Sequence, residues 1–598
     1  MDNEIQLENL DQKMARKVFK KLKAYMKPYW PWIILTLIAT FVSNMIAIWS
    51  PTLIGDVVDY IQVGLMNGTG IDMDAIWNIA RLLIILYLSS FVLDFFSMFT
   101  MADIAQALSK RLRKDMNAKI DRLPLAHFDS EATGDTLSRV INDVGTLGDT
   151  VDQSFISITG SIFMLLGTLV MMFRVNWIMA LAALAAAVVG FGLMGFIAGK
   201  TQKHFTAQQE ELGKLTGHIE EVFSGHDVVK TNNAGALMKK QMVEINDRLY
   251  TSAFKAQFAM STLMSTMMFL GNLSFVAVSV VGAVLAFNGH ITFGTIVEFM
   301  IYVRLFTAPL GELGQQSMTL QMGVAASNRI FELLEAEEME NEDHKETVIK
   351  DVKGQVLFDG VKFSYEPEKP IIKNFSAAIG AGRKVAIVGP TGAGKTTIVN
   401  LLMRFYEINS GSILVDGVDL RTMKREDVYE LFCMVLQDTW LFEASVKENI
   451  IYNKKGVTEE DVTRVCKAVG LHHYIKSLPQ GYDTVLTDKV SLSAGQRQLM
   501  TIARAMVNDA PLLILDEATS SVDTRTEILI QQAMDKLMVG RTSFVIAHRL
   551  STIKNADMIL VMNEGDIIEI GTHDELLEAN GFYAELYNSQ FDFGAESA

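Results

Sequence analysis

A chain of 598 residues exceeds what one hydrophobic core can organise and calls for two or more domains. Its apolar fraction of 49% and mean hydropathy of +0.23 lean toward membrane insertion, while a formal net charge of −16 argues against the basic face of a nucleic-acid binder. The cysteines, Cys433 and Cys466, are too few and too late in the chain for a disulfide framework, which suits a reducing, cytosolic setting for the second half.

Residues 1–28 come first. From Asp11 to Lys27 the sequence is basic and amphipathic, the apolar run behind it is full length, and no small-residue cleavage site follows. It predicts an elbow helix lying in the membrane interface, not a cleaved signal peptide. Crossing a hydrocarbon core of about 30 Å takes roughly 20 apolar residues in a helix. Six stretches qualify, near 30–50, 77–101, 152–173, 177–199, 258–287 and 293–320, the last interrupted by Glu298 and Arg304. They predict an all-helical domain of six spans over residues 29–323.

Lysine and arginine orient the spans. They crowd the segment before the first span, the loop from Lys110 to Arg139 and the loop from Lys200 to Lys255, while the opposite connections offer only Arg174. Both termini and the second half are therefore expected in the cytoplasm. The two inside loops are long, helical and charged, so the helices are expected to extend well into the cytosol.

Within the spans, methionines and phenylalanines such as Met260, Met264, Met267, Met268, Phe269, Met300 and Phe306 suit adaptable apolar binding, though at helical spacing they equally suit lipid contact or packing. Asp94 and Glu298 are sharper pointers. An ionised residue at mid-bilayer depth costs at least about 2.5 kcal/mol, so each is expected to face a cavity or a partner. Lining a substrate cavity they would favour amphipathic cations; a structural ion pair with Arg304 is the alternative.

Residues 324–353 read as a linker. The acidic run from Glu332 to Glu346 looks solvated, with a helical end as the other reading. From Gly354 to the C-terminus, short β-branched runs alternate with helical stretches, as in an α/β domain.

That domain carries the chemistry. Between Lys384 and Phe405 the chain reads strand, glycine-rich loop, helix, and Gly389-Pro390-Thr391-Gly392-Ala393-Gly394-Lys395-Thr396-Thr397 has the spacing of a phosphate-cradling loop. Lys395 would reach β- and γ-phosphates, and the Thr396 hydroxyl would ligate Mg²⁺. A second apolar strand ends in Asp516 and Glu517. Alone these would read as solvated acids; beside the loop, Asp516 fits Mg²⁺ and Glu517 fits the base for an attacking water. Gln437 and His548 each follow a further apolar strand, placed for Mg²⁺ or water and for a γ-phosphate; His548 alone would more often be structural. Tyr365 could stack on a base or simply pack at a strand end. Ser493-Ala494-Gly495-Gln496 opens an amphipathic helix, whose free N–H groups suit an anion.

GPTGAGKTT, VLQDTWLF, LSAGQRQ, LLILDEATSSVD and IAHR, in this order and spacing, resemble the nucleotide-binding domain of ATP-binding cassette (ABC) proteins. Leu123 to Val144 (LPLAHFDSEATGDTLSRVINDV) resembles the first intracellular loop of ABC exporters with six spans fused before one cassette. The resemblance implies a membrane protein with an α/β P-loop ATPase domain, using ATP and Mg²⁺, active as a dimer in the cell membrane. Two cassettes would sandwich two ATP molecules, each between one glycine-rich loop and the other subunit's signature turn, here Ser493 to Gln496. Asp523 falls in the loop at the dimer interface. His127, Phe128 and Asp129, and Gly225, His226 and Asp227, fall where short helices couple spans to cassettes.

The sequence departs from the family's usual Leu-Ser-Gly-Gly-Gln at Ala494, and no Gly-Glu stretch precedes it. With Glu517 present, the pattern is similar to the glutamate-bearing subunit of heterodimeric bacterial multidrug exporters. The implied function is ATP-driven efflux of amphipathic compounds by alternating access, with a heterodimeric partner favoured over a second copy. A lipid flippase and an ATP-gated channel or sensor are the alternatives.

Overall fold

The structure is a computed structural model that describes residues 18–68, 70–436, 439–487, 492–516, 523–546 and 550–591. It falls into two compact units. One holds the chain up to Asp121 together with Ala132–Ala336; the other holds Arg122–Glu131 together with Glu337 onward.

Among its described residues, the first unit is built of helices and the turns that join them. After helical residues 18–26 and a tight turn at Lys27–Tyr29 come six long helices: α1 (Trp30–Met66), α2 (Met73–Ile120), α3 (Phe155–Val175), α4 (Trp177–Ser224), α5 (Gly235–Phe287) and α6 (Phe293–Glu335). Each apolar stretch expected to span lies within one of them, apart from the first residues of the third, which belong to a wide turn at Thr150–Ser154. Among the described residues, the helical runs Val18–Met66, Met73–Ile120, Thr133–Val175 and Phe293–Glu335 are long and apolar enough to cross a membrane.

Polar side chains set the boundaries at one end of the bundle. Asp72 caps α2 by accepting the N–H of Ala75 at 3.0 Å, and Thr292 caps α6 by accepting that of Thr295 at 3.2 Å. Asn176, in extended backbone, separates α3 from α4 and accepts the N–H groups of Ile178 and Met179. Met172, Met179, Val278, Phe299 and Tyr302 close a core between the helices.

The linker expected to begin at residue 324 is helical over its first part. Ala326, Ile330, Phe331 and Leu333 keep the helical period under the charges and are buried, so α6 continues to Glu335. The acidic run beyond it is not wholly solvated either. Glu342 is nearly buried and accepts from Lys345, Arg404 and Arg425 at 2.9, 2.6 and 2.8 Å.

The second unit is α/β. An antiparallel sheet has the order β2 (Ile372–Ile379), β1 (Val356–Phe363), β4 (Ser410–Val415), β5 (Val418–Asp419). A six-stranded sheet has the order β10 (Asp566–Gly571), β9 (Met558–Asn563), β3 (Lys384–Val388), β8 (Thr542–Ile546), β7 (Leu512–Asp516), β6 (Phe432–Val435). Strands β9, β3, β8, β7 and β6 run parallel, and β3, β7 and β8 are almost wholly buried, as apolar runs covered on both faces must be. Helices α7 (Lys395–Leu402), α8 (Ala494–Asn508) and α9 (Thr524–Met538) pack against this sheet, with one core beside the antiparallel sheet, one within the helical lobe and a third on β3 and β9.

Candidate ATP site

The glycine-rich loop joins β3 to α7. A Cβ on Gly389 would stand 2.2 Å from the carbonyl oxygen of Met562, and Gly394 opens α7 at φ +97°, where a Cβ would meet Ile372 Cδ1 at 2.8 Å. Only glycine fits either place, and the loop's backbone is thereby free to curl. Lys395, the first residue of α7, is buried and donates Nζ to the carbonyls of Gly389 and Pro390 at 2.8 and 2.9 Å. Burial holds its ammonium below the usual lysine range, opposed by the negative charge of Asp516.

Sheet register brings that aspartate to the loop. Ile387 of β3 pairs with Ile546 of β8, and Ile546 pairs with Asp516 at the end of β7. Asp516 is thus level with the start of the loop, two strands or about 10 Å across the sheet, at the carboxyl ends where parallel α/β sheets bind ligands. The exposed Thr396 hydroxyl and the half-buried Asp516 carboxylate are hard oxygen donors and fit Mg²⁺. Gln437, Glu517 and His548 lie outside the described residues.

Tyr365 stands beside the same loop, its hydroxyl donating to Thr397 Oγ1 of α7 at 3.4 Å. Its half-exposed ring packs edge-on against Phe363 and Tyr406, with centroids 4.8 and 4.9 Å away. A base could lie on it.

At the signature turn, Ser493 is the N-cap of α8. Its Oγ accepts the N–H of Gln496 at 3.2 Å, and Gln496 Oε1 accepts the N–H of Ser493 at 3.0 Å, a reciprocal capping box. Ala494 occupies the first helical position, exposed, and is not among the residues of positive φ. The conformational penalty that alanine would pay at positive φ does not arise. Asp523 caps α9, accepting the N–H of Thr526 at 3.0 Å.

Comparison with known proteins bears on the whole chain. Residues 33–310 match the ABC transporter transmembrane region, and residues 372–520 match the ABC transporter family. A fatty acid ABC transporter ATP-binding/permease protein of Mycobacterium bovis is 41% identical over 525 residues, covering 88% of this chain and 83% of its own. The chain is an ABC exporter half-transporter. An ATP-dependent lipid A-core flippase of Chromohalobacter salexigens is 33% identical over 582 residues, covering 96% of the half-transporter and 98% of its own chain. The solved structure of a bacterial Atm1-family ABC exporter with ATP bound superposes with a TM-score of 0.73 at 26% identity, covering 96% of this chain and all of that one.

Two further groups of predicted residues in the half-transporter now have places. His127, Phe128 and Asp129 lie in the short helix Leu125–Ser130, which belongs to the ATPase unit: Arg122 pairs with Glu338 at 2.8 Å, and Tyr406 donates its hydroxyl to Asp129. Gly225, His226 and Asp227 lie at the α4–α5 tip, where His226–Thr231 forms a short, largely exposed helix.

The two acids expected to face a cavity or a partner sit in different surroundings. Glu298 is buried between α6 and α1, accepting from Thr52 Oγ1 at 2.6 Å beside Tyr302, and near Gly55 and Gly294. Its carboxylate thus has a hydrogen-bond partner within the chain. Asp94 is exposed on α2, beside the stacked rings of Phe91, Phe95 and Phe99.

Sequence reasoning missed Tyr406, Arg404 and Glu342. The one local signal was the polar Arg404-Phe405-Tyr406-Glu407 directly after an apolar helix, where Arg404 takes φ +55° to turn the chain.

Proposed function

We propose that this half-transporter exports lipid-like amphiphiles across the cell membrane, driven by ATP hydrolysis in a dimer. The observation that carries the substrate class is the burial of Glu298 in a helix–helix contact, which leaves the cationic-drug reading with Asp94 alone. Phe91, Phe95 and Phe99 stack beside Asp94 on the exposed face of α2, an apolar track for an acyl chain. The fatty acid transporter and lipid A-core flippase among its relatives support the same class. Cationic amphipathic drugs are the second reading, favoured by the exposed Asp94.

In this reading Tyr365 stacks on the base. The N–H groups from Gly389 to Thr397 wrap the phosphates, and Lys395 exchanges its two loop carbonyls for phosphate oxygens. Mg²⁺, with Thr396, Asp516 and Gln437 as its ligands, would neutralise phosphate charge. Glu517 takes the proton of the attacking water, and His548 donates to the γ-phosphate. Ser493 to Gln496 faces the partner's ATP across the interface formed with Asp523. His127 to Asp129 and Gly225 to Asp227 carry cassette motion to the helices. Both termini and the ATPase are cytoplasmic, following the lysine and arginine placement.

Reconstitution in liposomes tests this. ATP should drive translocation of a fluorescent fatty acid or phospholipid, and Glu517→Gln should lower hydrolysis at least about a hundredfold. Transport of a cationic dye without any lipid movement would overturn the substrate class.

A further inference from the structure

Tyr406 touches both ends of a path that the sequence motifs leave unjoined. Its ring packs edge-on at 89° against Tyr365, the base-side residue, and at 63° against Phe363 of β1, with centroids 4.9 and 5.7 Å away. Its hydroxyl donates to the Asp129 carboxylate on the short helix Leu125–Ser130. Tyr365 in turn donates to Thr397 in the helix that opens at the phosphate loop. Every one of these residues belongs to the ATPase unit, yet the short helix is continuous in sequence with α2 on one side and with the chain leading to α3 on the other.

The turn carrying Tyr406 is itself anchored. Arg404 is buried, donates to the carbonyls of Leu420 and Met423 at 3.2 and 2.8 Å, and pairs with Glu342. Glu407 pairs with Arg404 and Arg425. A ring held on a fixed backbone can respond to Tyr365 only by tilting, and a tilt displaces its hydroxyl end, where Asp129 is bound. Burial and the Asp129 charge both keep the phenol protonated, so it stays a donor.

We propose that Tyr406 is a positioning residue that couples base stacking on Tyr365 to the seating of the Leu125–Ser130 helix. The inference rests on the proposed nucleotide site, since it requires a base on Tyr365. The ring transmits and the hydroxyl holds the helix, so Tyr406→Phe separates the two.

The test uses the full-length transporter in nanodiscs, with MANT-ATP for affinity and hydrogen–deuterium exchange of residues 122–131 for helix seating. In the wild type, ATP should slow exchange in this segment about fivefold. Tyr406→Phe should hold MANT-ATP within about twofold of wild type while abolishing that slowing. Asp129→Ala changes an exposed side chain and should reproduce the effect. Asp129→Asn keeps an acceptor oxygen and should restore most of it. The double variant Tyr406→Phe/Asp129→Ala should lose no more than either single one.

An unaltered ATP response in Tyr406→Phe overturns the proposal, as do independent, additive losses in the double variant. A wild type that binds MANT-ATP but shows no change at 122–131 overturns it while leaving the transporter reading intact. A wild type that binds no MANT-ATP overturns both.

Discussion

Ser493 and Gln496 use their side chains on each other's backbone, and Ala494 between them is an ordinary first helical residue. Alanine is a good helix former, so the methyl group adds no conformational cost. Ala494→Gly is therefore expected to leave thermal stability unchanged or lower it by at most about 0.5–1 kcal/mol, the mid-helix figure being an upper bound. A rise in melting temperature would show strain that the helix geometry denies. Ser493→Ala removes the cap, and calorimetry of the purified transporter should show a loss of about 1 kcal/mol. If the serine also reaches the partner's ATP, ATPase activity will fall further than the stability loss explains. The glycines behave differently. Gly389→Ala drives a methyl into the Met562 carbonyl, a backbone atom that cannot swing aside, and should abolish MANT-ATP binding.

The segment after α6 is held by an ion-pair cluster in which Glu342 meets Lys345, Arg404 and Arg425, all largely buried. Removing one partner of such a cluster strands the others' charge, and Glu342→Gln is expected to destabilise the ATPase unit by about 3 kcal/mol. Burial alone would raise the Glu342 carboxyl, but Lys345, the Arg425 backbone and the two arginines outweigh it and hold it below its ordinary value of 4.5. A depressed carboxyl stabilises fully above the unfolded value and loses that contribution as pH falls through the folded one. The stability gap between wild type and Glu342→Gln should therefore be constant near neutrality and narrow only below pH 4.5, as thermal unfolding at stepped pH would show. Elements whose cause is local were legible in the sequence: the spans by apolar length, the phosphate loop by glycine spacing, β3, β7 and β8 by their apolar runs. The cluster was not, because each acid in ELLEAEEMENEDHKE reads as solvated until Arg404 and Arg425, some sixty to eighty residues on, are brought to it. The full length of α6 was hidden in the same way, by charges masking a continuing apolar period. Glu298 shows the opposite case: a lone acid in a span signals an expensive group that needs a cavity or a partner, and nothing local says that Thr52 is that partner.

At the scale of the molecule, one chain carries one set of helices and one cassette, and the family architecture completes both by dimerisation. We propose a heterodimer from the resemblance that Ala494, the absent Gly-Glu stretch and the presence of Glu517 give to heterodimeric exporters. Ala494 has ordinary helical geometry, so no conformational strain supports that argument, and what is left is steric: a methyl group that would face the partner's phosphate in the proposed dimer. The two pairings differ in a measurable way. In a heterodimer, the hydrolysis assigned to Glu517 needs a glycine-bearing signature from another chain, so this chain purified alone should bind ATP through Lys395 yet turn over slowly. Adding a second half-transporter with a regular signature should restore lipid-stimulated activity by at least about tenfold, an amount that mixing inactive copies could not give. In a homodimer Ala494 would face every ATP, and the lone chain should already show full stimulated turnover. Light scattering for the assembly and steady-state ATPase for the activity decide between them. A stable dimer of this chain alone with lipid-stimulated hydrolysis would overturn the heterodimer and make Ala494 a competent signature residue.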